Sequence, residues 1–155
     1  MFNFDMQTAG ISEAIEGLIG LQEQLEQSDE VIQIVATILR DSAKERFITK
    51  EDPQGRPWAD LSPRTVANKQ KYGVRSNAMN ILVNHGDLGR NIIYQILNNH
   101  SAKVGSTQWY GNFHQQGTSK MPQRAFLGVS DDDNATIREA LNEFLEEEAL
   151  RRMRG

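Results

Sequence analysis

A chain of 155 residues with 38% hydrophobic and 25% charged residues is the size of one domain with a modest core, and its composition is not that of a disordered protein. It contains no cysteine, which removes disulfides, thiolate nucleophiles and cysteine-based zinc sites from consideration. The net charge of -4 hides a division: residues 1–52 hold 11 acids and 4 bases, residues 53–130 hold 2 acids and 9 bases, and residues 131–155 hold 8 acids and 4 bases.

Two acidic ends therefore flank a basic middle. Such polarity steers nucleic acid to the middle or lets copies of the chain attract one another, and Glu-rich helical ends explain it equally well. No apolar run approaches the roughly 20 residues needed to span a bilayer, and Met1-Phe2-Asn3-Phe4-Asp5 lacks the basic region of a signal peptide, so the expected compartment is a cytoplasm.

From Ile11 the apolar residues Ile11, Ile15, Leu18 and Leu25, with Ile19 and Leu21 beside them, follow the three-and-four spacing of one helix face. Gly17 and Gly20 each cost about 1 kcal/mol relative to alanine, so this helix needs a partner. Ser28 offers an N-cap, and Asp29 and Glu30 suit the dipole of a second helix over Asp29–Thr49. Its stripe is Val31, Ile34, Val35, Ile38 and Leu39, continuing to Ser42 and Phe47, and the two helices are expected to form a hairpin. Pro53, Gly55 and Pro57 end the helical pattern, and Trp58 reads as a loop anchor buried against the core. Ser62-Pro63 starts a short basic helix over Pro63–Lys71, which Gly73 stops.

Ile81-Leu82-Val83 reads as a short β-like run and His85-Gly86-Asp87 as a turn. From Asn91 to Leu97 the residues alternate, with Ile92, Tyr94 and Ile96 forming one apolar face. Asn98-Asn99 falls where a tight hairpin turn is expected, and Ala102 to Ser106 makes the returning strand, with Ala102 and Val104 on one face. The spacing over Trp109–Gly117 predicts one helical turn that clusters Trp109, Tyr110, Phe113 and His114. A flexible link, Thr118-Ser119-Lys120, leads to a β-like or extended Arg124–Val129. The last helix turns Ile137, Leu141, Phe144 and Leu145 inward and ends in Arg151, Arg152 and Arg154. The chain is thus an α+β protein: N-terminal helices, a small antiparallel sheet with a β-hairpin, and a C-terminal helix. One domain spans 1–155, divided into an acidic helical part (1–52), a basic loop and sheet part (53–130) and the C-terminal helix (131–155).

Chemistry is sparse. His85, His100 and His114 form no H-x-x-x-H or H-E-x-x-H pair, and His114 reads as structural within its aromatic cluster. Asp131-Asp132-Asp133-Asn134 opens like a calcium loop, but Thr136 and Asn142 stand where glycine and glutamate are required, so an N-cap cluster explains the run better. No phosphate loop, nucleophile elbow or dinucleotide fingerprint occurs, and no catalytic, cofactor-binding or metal-binding residue is assigned. The densest basic patch is Arg56, Arg64, Lys69, Lys71 and Arg75, and a nucleic-acid-binding module built on it is the alternative function. Only Tyr72 is near enough in sequence to stack on a base, and no helix-turn-helix or RNP-type strand accompanies the patch.

The order Pro53-x-Gly55-x-x-Trp58-x-x-Leu61-x-x-x-Thr65, then Ile81-Leu82 with Gly86-x-Leu88, Val104-Gly105-Ser106, Tyr110, His114-Gln115-x-Gly117 and Pro122-x-Arg124-x-Phe126-Leu127-Gly128 resembles the virion morphogenesis family of tailed phages. This is the group of Mu-type G proteins and tail completion proteins. The match runs from about Pro53 to Gly128 and continues loosely into the final helix, and its specificity lies in order and spacing rather than in any one element. The resemblance implies a structural protein of the tail, or of the neck between head and tail, working as an oligomeric ring without catalysis or cofactor. Trp58, Leu61, Leu88, Gly105, Tyr110, His114, Gln115, Gly117, Arg124, Phe126, Leu127 and Gly128 are then assembly residues. The implied partners are copies of itself, other phage tail or neck proteins and, passively, packaged DNA, with no membrane; the implied location is the virion, and the host cytoplasm during assembly. In this reading Tyr110, Phe113 and His114 anchor the aromatic segment, while the Gln115–Lys120 loop is left to reach a neighbour. A basic middle meeting the acidic helices of the next copy supplies the heterologous contact a ring needs.

Overall fold

In the computed structural model, which describes residues 2–5, 29–71, 80–83, 85–98 and 100–154, the central element is helix α1 (Asp29–Thr49). The expected stripe is only part of what it buries: Val31, Ile32, Val35, Ala36, Leu39, Ala43 and Arg46 are buried, whereas Ile34 and Ile38 are half-buried. The buried surface is wide because α1 has two partners, a sheet and the C-terminal helix. The helix expected over Ile11 to Leu25, its hairpin, and the stop at Gly73 lie outside the described residues.

The sheet has three antiparallel strands, β1 (Phe2–Asp5), β2 (Ile92–Asn98) and β3 (Ser101–Ser106), in the order β1-β3-β2. The β2–β3 hairpin is the expected one. Strand β1 has no counterpart in the sequence reading, because four residues carry too little alternation to stand out. Tyr94 and Ile96 pack with Ile32, Ala36 and Ala102, so the predicted apolar face of β2 meets α1, and Ile93 and Leu97 point outward. A register shift between Ile96 and Asn98 carries the strand one residue further than expected. Asn98 then serves the turn as an acceptor: its Oδ1 takes hydrogen bonds from His100 N and Ser101 Oγ, each at 2.9 Å.

Two other local expectations change. Ile81-Leu82-Val83 is a turn, not a strand, with Leu82 at φ 58° and Val83 N donating to Asn80 O at 3.3 Å. Its apolar character reflects packing of Ile81 and Leu82 on the core, which a short apolar run does not distinguish from strand pairing. Residues 124–129 join no strand, and the chain bends at Gly128. Helix α2 (Pro63–Lys71) begins as predicted, with Ser62 Oγ accepting from Thr65 N at 3.2 Å. The single turn α3 (Asp87–Arg90) inserts Leu88 into the core, and α4 (Gly111–Gln116) follows the sheet.

The C-terminal helix α5 (Asp131–Arg154) buries Ile137 and Leu141 against α1, with Phe144 and Leu145 half-buried beside them. Ser130 caps it: Ser130 Oγ accepts from Asp133 N at 3.0 Å, and Asp133 Oδ2 accepts from Ser130 N at 2.8 Å. Asp131 and Asp132 remain exposed in the first turn, where their charge suits the helix dipole.

Asp133 has a second partner. Arg46 Nη2 donates to its Oδ2 at 2.7 Å, and Arg46 Nη1 donates to Phe126 O at 3.0 Å and Gly128 O at 3.1 Å. Trp58 completes the lock as the buried anchor expected of it, with Nε1 donating to Ala125 O at 2.8 Å and its ring meeting Phe47 edge-on at 5.6 Å. Gly128 has φ 150°, and a Cβ there would fall 2.7 Å from Pro53 Cγ, so the backbone itself closes against the loop before α2. Removing one partner of a buried, hydrogen-bonded ion pair leaves an uncompensated charge and costs about 3–5 kcal/mol. Asp133→Ala is expected to lose that much in urea unfolding, while Asp132→Ala, at an exposed position, stays within about 0.5 kcal/mol of the parent.

Candidate assembly surface

Helix α4 and the segment after it form a clamped unit. Gly117 ends the helix at φ 74°, where a Cβ would lie 2.8 Å from Gln123 N, so only glycine closes this corner without displacement. Gln115 turns inward: its Oε1 accepts from Phe126 N and Leu127 N, each at 3.0 Å, and its Nε2 donates to Leu127 O at 2.8 Å. Arg124 N donates to His114 O at 2.8 Å, and the Arg124 guanidinium donates to Ala59 O and Asp60 O, both at 2.8 Å. Phe126 and Leu127 fill the core beneath.

The reading of Gln115–Lys120 as a loop reaching for a neighbour is therefore corrected at its first residue. Gln115 is a side-chain bridge that satisfies backbone groups which no strand pairs. The link beyond it is also a tight turn, with Thr118 N donating to Met121 O at 2.8 Å and Met121 N to Thr118 O at 3.2 Å.

What faces solvent is the aromatic pair. Trp109 is 77% exposed and Phe113 45% exposed, their rings edge-to-face at 5.7 Å. Trp109 also meets Tyr110 edge-to-face at 6.0 Å, and Tyr110 alone of the three packs on the core. Phe113 is thus not an anchor, contrary to expectation; helical spacing groups the aromatics but does not say which side of a six-residue helix is buried. Beside the pair runs a groove of about 560 Å³ lined by Ser106, Trp109, Asn112, Gln116, Phe126 and Leu127 among others, none of them charged.

On the other side of α4 lies a cleft of about 900 Å³ lined by Leu61, Leu82, Leu88, Tyr110, His114 and Arg124, among others. His114 is half-buried there, and its Nδ1 has no hydrogen-bond partner among the described residues. Burial, together with the Arg124 cation, pulls its pKa below the ordinary value of 6.5. Burial, with the Asp87 carboxylate, pushes the Tyr110 hydroxyl up. Among the described residues no group of three or more His, Asp or Glu is placed to hold a metal ion, and no helix is long and apolar enough to cross a membrane.

The basic residues scatter. Lys69 is directed inward, donating to Val83 O at 2.7 Å and Asn80 O at 3.2 Å, and burial lowers its pKa. Arg56 is ion-paired to Asp52 at 2.7 Å. Burial alone would raise the Asp52 carboxyl, but hydrogen bonds from Arg56 and Gln54 outweigh it and hold it below its ordinary range. Arg64 and Lys71 are exposed on α2, and Arg75 lies outside the described residues. Of the other motif residues, Leu61 sits at the cleft, Leu88 is in the core, and Gly105 is buried in β3 opposite Ile93.

With this geometry in view, the comparison with known proteins is direct. The model of the phage virion morphogenesis family matches residues 8–146, and the chain belongs to that family. It is 31% identical over 124 residues to the Mu-like prophage FluMu G protein 1 of Haemophilus influenzae, a stretch covering 80% of this chain and 84% of that protein. No solved structure matches. The protein is therefore a phage morphogenesis protein, and the last motifs of the sequence, His114-Gln115-x-Gly117 and Pro122 to Gly128, fall in the clamped unit just described.

Arg46 and Gln123 were not singled out by the sequence. Arg46 had a signal, since it stands seven residues after buried Leu39 and so on the same helix face. Gln123 Nε2 donates to Gln115 O at 3.0 Å, and nothing in its surroundings in the sequence marks it.

Gln115→Ala would leave two N–H groups and one carbonyl without partners and is expected to cost on the order of 3 kcal/mol in chemical unfolding. For His114 the sign follows from its lowered pKa: the folded state binds the proton less readily than the unfolded state. Its contribution to stability is present above about 6.5 and lost as pH falls through the lower folded value. Stability curves from pH 8 to 5 are expected to converge for the parent and His114→Gln, with the parent losing more on acidification.

Proposed function

We propose that this chain is a non-catalytic structural part of the phage particle that acts in tail completion or head-tail joining as a component of a homo-oligomeric ring. In this reading it assembles in the host cytoplasm and stays in the virion. The observation that carries the reading is the exposed Trp109–Phe113 pair. A large aromatic surface left in water is unfavourable for an isolated molecule and characteristic of a contact site, and here it is held by backbone that Gln115 and Gly117 fix. Membership of the family and likeness to a Mu-like prophage G protein support a part in building the particle.

The uncharged groove beside Trp109 suits another tail or neck protein, while the charged surfaces suit self-association. Passive contact with packaged DNA fits exposed Arg64 better than sequence-specific binding fits the whole basic patch, because Arg56 and Lys69 are engaged within the chain. Joint replacement Trp109→Ala and Phe113→Ala is expected to leave the melting temperature within about 2 °C, since both rings are exposed, and to weaken partner docking about 30-fold or more. Electron microscopy of the resulting particles would then show unjoined heads and tails or tails of aberrant length; normal, infectious particles would refute the reading. A strictly monomeric protein in native mass spectrometry, even at low salt and high concentration, would refute the ring.

A further inference from the structure

The ring reading leaves open which surfaces of the chain meet. One flank of α1 carries a groove of about 780 Å³ lined by Asp41, Glu45, Glu51, Asp52, Asp131, Asp132 and Asp133, with Arg46 as its one basic residue. Arg46 is already engaged by Asp133, Asp52 by Arg56 and Asp41 by Arg40. Glu45, Glu51, Asp131 and Asp132 have no ion-pair partner among the described residues. The groove therefore concentrates negative charge that no ion pair among the described residues balances.

The matching surface is α2. None of its residues is buried, and its outer face repeats at helical spacing: Arg64, Ala67, Asn68 and Lys71 are all exposed. Its opposite side, through Lys69, is tied to Asn80 and Val83. A nine-residue helix is too short to be stable by itself in water, so its position is set by these ties and by what its outer face meets.

The two surfaces do not face each other within one molecule. Successive residues of a helix are separated by about 100°, so Glu45 and Phe47 point to nearly opposite sides of α1. Glu45 lines the acidic groove, whereas Phe47 packs beside Leu82, Val83 and Gly89, the segment to which α2 is tied. Two complementary surfaces on opposite flanks of one chain make a head-to-tail contact between copies, the kind that closes into a ring.

We propose that the outer face of α2 of one copy docks in the acidic groove between α1 and α5 of the next, with Arg64 and Lys71 facing the carboxylates of Glu45, Asp131 and their neighbours. This rests on the ring reading and names its interface. Arg64→Glu is expected to shift oligomer to monomer by at least tenfold in dissociation constant, measured by mass photometry at low salt. The substitution lies in the first turn of α2, where an acid favours the helix dipole, and the melting temperature checks that the fold is kept. Combining Arg64→Glu with Glu45→Arg in one chain is expected to restore the oligomer.

The absence of cysteine allows a second test. Glu45→Cys and Arg64→Cys proteins, mixed and treated with a short bifunctional maleimide, are expected to give the mixed cross-link in preference to either like pair. A parent that forms oligomers unaffected by Arg64→Glu, without the mixed cross-link, would overturn this interface and leave the ring standing. A parent that is monomeric under every condition would remove both.

Discussion

A guanidinium taken out of water must find acceptors for its donors, and Arg46 finds them in two other parts of the chain. It belongs to α1, its two carbonyl partners belong to the segment 126–128, and its carboxylate partner belongs to the first turn of α5. The desolvation cost of such a group is several kcal/mol and is offset only if the geometry is right, so the pair contributes less to net stability than to the relative placement of what it joins. Asp133 cannot hold Arg46 unless Ser130 and the start of α5 are in register. Phe126 and Gly128 cannot both offer their carbonyls unless Gly128 clears Pro53. One buried cation thus ties the helical layer to the loop that carries the family motif.

The motif segment would otherwise be unstable. Residues 124–129 pair with no strand, and their backbone groups need partners from side chains. Trp58 takes Ala125, Gln115 takes both sides of Phe126–Leu127, and Arg46 takes Phe126 and Gly128. A rigid seat for α4 results without a larger sheet. With the seat fixed from below, Phe113 of α4 and Trp109 just before it turn outward at little further entropic cost, which is what a preorganised contact surface requires.

The sequence showed the elements whose periodicity is long or whose punctuation is strong. Helix α1, the hairpin and α5 repeat their apolar pattern over several turns or strand pairs, and Ser62-Pro63 marks the start of α2. It misled where the signal was short. Ile81-Leu82-Val83 is apolar because it packs, and a run of three residues cannot say whether its backbone is paired. At the motif, residue identity indicated the right stretch but not the direction of its side chains. Gln115 looked like a polar loop residue and is the central bridge, while Phe113 looked like an anchor and faces solvent. Those roles depend on contacts between residues ten or more positions apart, which spacing along one helix does not encode.

The charge division takes on a different meaning once placed in space. Among the described residues, the acidic groove and the basic helix α2 do not share one face, because α1 stands between the groove it lines and the segment that holds α2. Pairing between exposed charges contributes at most about 1 kcal/mol each and is screened by salt over roughly 8–10 Å, so a contact built on it is weak singly and strengthens only when a ring closes and every copy is held twice. The aromatic groove carries no charge and is insensitive to that screening. In the proposed ring, charge contacts would therefore let subunits exchange until an uncharged contact with the particle fixed them, so that the two kinds of surface would divide reversible assembly from final attachment.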